Sequence, residues 1–154
     1  ERRLARAEGA QQTRLARDSY TYLHLPMVAG VVFAALGLKK VLGYVAGDEN
    51  HDWNDSLHGL PVWALHGGPA LYLLSLVLFR LRNVGSISRS RSVAIVVLLA
   101  TAPLGERIGA LPDLLVVTAI MAALIAWEAI RYAEARHRIR HLEGHHPEPP
   151  MAAP

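Results

Sequence analysis

Four stretches of this chain carry no Asp, Glu, Lys or Arg: Val28 to Leu38, Leu60 to Phe79, Val93 to Leu104 and Leu114 to Trp127. A soluble amphipathic helix sets a charge on its wet face every turn or so, and these stretches do not. Nearly all ionisable residues lie between them or at the chain ends. The pattern predicts an all-α fold, a polytopic transmembrane helix bundle. About four membrane helices are expected, near 20–44, 58–80, 91–109 and 111–131, within a transmembrane region 20–135. A basic helical arm (1–19) precedes them, and a charged extension with a disordered His/Pro tail (136–154) follows.

Turn and breaker residues refine these boundaries. In the arm, Gln11-Gln12-Thr13 is a point of interruption, with Thr13 able to cap the helix after it. Pro26 either opens the first membrane helix or kinks a helix continuing from the arm. The run from Gly47 to Leu57 is polar and acidic and reads as a loop. Pro61 suits the first turn of the second helix, and Gly67-Gly68-Pro69 predicts a kink or short unwound stretch within it. Residues 80–92 read as a basic loop. The third apolar run, Val93 to Leu104, is short enough for a buried or re-entrant segment. Counted from Ser92 to Ala110 it reaches a crossing, with Pro103, Glu106 and Arg107 at its outer end. Pro112 suits the first turn of the fourth helix. Small residues recur at helix-face spacing (Gly30 and Ala34, Ala64 and Gly68, Ala119 and Ala123, Ala122 and Ala126), the pattern that lets membrane helices approach closely.

Composition agrees: 52% of residues are hydrophobic and 19% charged, with mean hydropathy +0.22. The pI near 9.6 raises the question of nucleic acid. The arginines, however, cluster beside apolar blocks without an aromatic-studded polar surface, so they read as juxtamembrane charge and no nucleic-acid partner is expected. The absence of cysteine excludes disulfides and thiol catalysis. The first residues do not form a signal peptide; they read as the tail of an earlier helix. The expected partners are therefore the lipid bilayer and N-terminal helices of the same longer chain, with a homo-oligomer left open.

Basic residues set membrane orientation when they flank apolar segments. Thirteen of the sixteen Lys and Arg residues fall in the N-terminal arm, the 80–92 segment or the C-terminal extension. The first loop instead carries Asp48, Glu49, Asp52 and Asp55. Both termini of the segment are expected on the cytoplasmic side.

Candidate chemistry is sparse. No HExxH, GxSxG, P-loop or GxGxxG motif occurs, so no enzyme activity and no cofactor are expected. His58 and His66 are eight apart, too far for a ligand pair on one turn. His137 and His141 could hold a metal loosely but have no supporting shell, and no metal site is assigned. Polar groups at or inside the hydrocarbon are costly there and mark candidate positions. Asp18, Tyr20, Tyr22 and His24 cluster at one end of the first helix, either as an interfacial tyrosine belt with a bonded histidine or as a proton- or substrate-binding group. His66 lies beside the Gly67-Gly68-Pro69 break, either satisfied at a packing kink or lining a polar cavity. His24 and His66 are both expected to be hydrogen-bonded in the interior. Of Lys39 and Lys40, which lie 100° apart on a helix, one snorkels to the headgroups while the other faces acidic groups of the loop. Glu128 can pair with Arg131 at i+3, as a structural ion pair or as a coupling carboxylate.

One stretch is more specific than periodicity. Arg17-Asp18, Tyr20, Tyr22-Leu23-His24-Leu25-Pro26, Val28-Ala29-Gly30 and Ala35-Leu36-Gly37 together resemble the bacterial low temperature requirement A family of polytopic membrane proteins. Gly67 to Leu73 and Ala126-Trp127-Glu128 add softer support. Members of that family are longer and begin with a Phe-Phe-Asp-Leu-Val-Phe type block that this chain lacks, so the resemblance implies a C-terminal portion. It also implies residence in the bacterial cell membrane, and it brings no agreed biochemical activity. Two functions are carried forward: transport or permeation of a small solute or ion, and a non-transporting role in envelope support or cold and stress adaptation through helix–helix interactions.

Overall fold

The computed structural model describes the backbone of residues 10–47 and 54–143 and the side chains of residues 22–47 and 54–131. Within them lie four helices: α1 (Ala10–Val45), α2 (Leu60–Val84), α3 (Arg89–Gly105) and α4 (Ala110–Glu143). The described residues contain no strand, and a single bridge between Ser56 and Gly109 joins two loops. Three helices are long and apolar enough to cross a membrane: Tyr22–Val45, Leu60–Val84 and Ala110–Arg131. At 17 residues, α3 is shorter than these, about 25 Å at ~1.5 Å per residue.

Several boundaries differ from the sequence expectation. The arm and first membrane helix are one continuous α1 from Ala10, with no break at Gln11-Gln12-Thr13 and with Pro26 inside the helix. Residues 80–92 are mostly helix. Arg80 and Arg82 complete α2, where positive charge complements the C-terminal dipole, and Arg89 and Arg91 begin α3. Only Gly85 to Ser88 connect them; Gly85, at φ 74°, turns the chain in a left-handed conformation and its N–H donates to Leu81 O. The acidic residues Asp48, Glu49 and Asp52 and the tail 144–154 lie outside the described residues.

The predicted unwinding at Gly67-Gly68-Pro69 is absent: α2 is helical through it, although Pro69 removes the bond Leu65 O would accept. The glycines serve contact instead. A Cβ on Gly68 would overlap the Ala34 backbone, one on Gly30 would lie 2.7 Å from Tyr72 N, and one on Gly37 would lie 2.6 Å from Leu65 Cα. These pairs form an antiparallel seam in which α1 and α2 meet backbone to backbone, as the Gly30/Ala34 and Ala64/Gly68 spacing implied. Gly67 faces open space.

The ends of the bundle differ. Asp55 O accepts from Ala110 N (2.9 Å), and Gly59 N donates to Glu106 Oε1 (3.3 Å), so the α1–α2 loop docks on the α3–α4 turn. Leu57, fully buried, plugs the core beneath it. At the other end Arg91 of α3 reaches Glu128 of α4. The short α3 therefore extends from one end of α2 to the other, and successive helices run antiparallel. Half of α2's most apolar window is buried, against 17% in α1 and 22% in α4, so α2 is the central helix.

Candidate functional site

Nearly two turns into α2, His66 is completely buried and reaches two other helices at once. Its Nδ1 lies 3.0 Å from Leu98 O of α3, and its Nε2 lies 2.9 Å from Asp113 Oδ1 of α4. Asp113 is 1% exposed, and its Oδ2 has no hydrogen-bond partner. Gly105 makes room for the carboxylate: a Cβ there would stand 2.7 Å from both oxygens. Pro112 in the first turn and the bond from Asp113 N to Gly109 O set the carboxylate at the start of α4, where the helix dipole favours negative charge.

Proton accounting follows from the partners. A carbonyl oxygen only accepts, so Nδ1 donates to Leu98 O; a second proton lies between Nε2 and Oδ1. In that state the pair is net neutral, which burial in an apolar bundle favours. A second arrangement is built in. Thr101 Oγ1 donates to Val97 O (2.9 Å) or Leu98 O (3.1 Å) and lies 3.3 Å from His66 Nδ1. Turned to donate to Nδ1, the hydroxyl supports a neutral histidine that donates from Nε2 to an ionised Asp113, and the single negative charge then sits at the N-terminal end of α4.

The other candidate positions are separate from this site. Tyr22 and His24 are exposed on α1, and His24 borders a shallow apolar groove with Met27, Leu76 and Phe79. The expectation of an interior His24 is thereby corrected: the α1 face that enters the seam is that of Gly30 and Gly37, and His24 falls outside it. The side chains of Asp18 and Tyr20 lie outside the described residues, while Lys39 and Lys40 are both exposed. Glu128 pairs with Arg91 rather than Arg131. Arg91 Nε and Nη2 donate to its two oxygens at 2.8 and 2.9 Å, and Ser90 Oγ lies 3.4 Å away. A two-pronged guanidinium on the neighbouring helix fits the carboxylate better than an i+3 side chain on its own helix.

Sequence reasoning missed Asp113, Thr101, Gly105 and Arg91. A carboxylate directly after a first-turn proline was an available signal for Asp113. Its pairing with His66 depends on how the α3–α4 turn closes over α2. Among the described residues no group of three or more His, Asp or Glu side chains forms a metal site.

Residues 1–129 match the family model described as bacterial low temperature requirement A protein. The chain belongs to that family. No curated protein and no solved structure matches it. Family membership and the apolar helices together make it an integral membrane protein of the low temperature requirement A type, and the His66–Asp113 pair lies within the part that the family model covers.

Proposed function

We propose that this low temperature requirement A family protein moves a proton or another small ion across the bacterial cell membrane, with His66 and Asp113 as its polar centre. The observation that carries this reading is a buried carboxylate with one unpartnered oxygen, set against a histidine that has two hydrogen-bonding arrangements. Ionisable groups within membrane bundles are expensive and concentrate on ion and proton paths. The two loops docked near this site leave His66 and Asp113 sealed, as an occluded binding site is.

Orientation belongs to the same proposal. With α3 as a fourth crossing, the arm, the α2–α3 connection and the end of α4 share one face. The concentration of arginine in those segments supports a cytoplasmic assignment for it.

A second reading follows from the same seal. If the pair is a permanent clasp across α2, α3 and α4, the protein is a non-transporting scaffold that supports the envelope, cold growth or stress adaptation. Proton flux into liposomes containing the purified full chain, read with a trapped pH dye, separates the two. Transport predicts flux above empty vesicles that Asp113→Asn largely removes while the folded protein remains. Flux equal to empty vesicles, or unchanged by Asp113→Asn, refutes the transport reading.

A further inference from the structure

At the arginine-rich end, the first turn of α3 and the α2–α3 connection border an open cavity of about 480 Å³, lined by Arg80, Ile87, Ser88, Arg89, Ser90, Glu128 and Arg131. The charge balance there is one-sided. Glu128 is matched on both oxygens by Arg91 and also feels the charge of Arg80, which leaves Arg89 and Arg131 in excess over the one carboxylate that lines the cavity among the described residues. Arg80 is held in place by Ser86 Oγ at 3.2 Å. Ser88, at the N-cap of α3, makes no side-chain capping bond. The first-turn N–H groups of α3, whose residues Arg89 and Ser90 line the cavity, are therefore without a side-chain cap from Ser88, and such groups favour an anion.

A second cavity of about 340 Å³ begins at the same residue, Ser90, and runs along α3 and α4 between Val93, Val97, Ala123 and Trp127. It is almost wholly apolar and lies between α3 and the part of α4 that is long and apolar enough to cross a membrane. A free anion would use only the first cavity and a detergent-like tail only the second. A molecule with a negative head and a long apolar tail fills both across Ser90.

We infer that these two cavities form one binding site for an anionic phospholipid. The phosphate is held by Arg89, Arg131 and the α3 N-terminus, and one acyl chain lies in the α3–α4 groove beside Trp127. Basic pockets between membrane helices take anionic headgroups in this way. The site lies at the opposite end of α3 from the His66–Asp113 pair, and the inference does not rest on the transport reading.

The test is a lipid titration of the purified full chain, read by native mass spectrometry, with phosphatidylglycerol, phosphatidylcholine of the same tails, and inorganic phosphate as competitor. Arg89 and Arg131 are exposed, as is Ala123, so Arg89→Gln/Arg131→Gln and Ala123→Phe leave the fold intact, with an unchanged melting profile as control. Phosphatidylglycerol is expected to bind in preference to phosphatidylcholine, with affinity falling about fivefold per arginine removed. Ala123→Phe should weaken phosphatidylglycerol by filling the groove. Equal binding of phosphatidylcholine, an unchanged affinity in either variant, or displacement of the lipid by inorganic phosphate at matched concentration would each overturn the site.

Discussion

Replacing His66 by Leu isolates what the buried pair contributes. Leu98 O keeps a donor in Thr101 Oγ1 at 3.1 Å, so the loss falls on Asp113. Asp113 Oδ2 already has no partner, and without Nε2 neither oxygen has one. Both side chains are out of reach of water, at 0% and 1% exposure, so water cannot rescue the carboxylate. Removing one member of such a pair costs about 3–5 kcal/mol, whereas removing both in favour of apolar groups is close to neutral. His66→Leu/Asp113→Val should therefore recover most of the loss, to within about 1 kcal/mol of the parent. Asp113→Asn should cost only about 1 kcal/mol, because the amide oxygen still accepts from Nε2. The assay is unfolding in mixed micelles as the fraction of denaturing detergent rises, followed by helix content. A His66→Leu cost below about 1 kcal/mol, or a double variant as unstable as the two losses added, would refute the reasoning.

The α1–α2 seam makes a sharper structural prediction. Gly68→Val should cost well over 1 kcal/mol, since its side chain meets the Ala34 backbone rather than a flexible tip, while the neighbouring Gly67→Ala should be neutral or stabilising by up to about 1 kcal/mol; the same micelle unfolding assay decides, and similar effects at both positions would contradict the seam. For orientation, a cytoplasm-specific reporter fused after Leu142 of the full chain should be active and one inserted near Asn50 silent. The opposite pair of results overturns the proposed topology.

The helices were legible because long uncharged apolar blocks are stable in few places besides the interior of a bilayer. Their ends were not. Cutting segments at charged residues assigned Arg80, Arg82, Arg89 and Arg91 to a loop, yet arginine is a good helix former whose long stem extends toward water from the last turns. Asp113 was hidden differently: it lay inside the expected fourth helix (111–131) but just before the uncharged stretch that begins at Leu114, and was not weighed as a buried charge. Small-residue spacing marked Gly30, Ala34 and Gly68, which meet in the α1–α2 seam, but it marked Ala119, Ala122, Ala123 and Ala126 of α4 equally, and those are exposed. The Gly67-Gly68-Pro69 run read as a helix break, where the structure keeps the helix and gives each glycine its own surroundings: Gly68 meets α1 and Gly67 faces outward. His66 is buried and hydrogen-bonded as the sequence led one to expect, but its partners come from 32 and 47 residues away, a separation no local pattern encodes.

The two halves of the bundle are held by different kinds of contact, and this determines how variants should behave. The α1–α2 seam depends on the absence of side chains at Gly30, Gly37 and Gly68. By contrast, α3 packs Ala94, Leu98 and Ala102 into the apolar core and adds discrete polar links: Arg91 to Glu128 at one end, His66 to Leu98 further along, and Glu106 to Gly59 at the other. Each link can open singly, with water or a headgroup replacing a partner at the two ends. On the transport reading, an ion would reach Asp113 by α3 and the start of α4 parting from α2 while the seam stays closed. A seam variant should lose stability and function together. Asp113→Asn should keep the fold and lose only what depends on the carboxylate's charge. If Asp113→Asn instead behaves as the seam variants do, the pair serves as a clasp, and the scaffold reading takes precedence over transport.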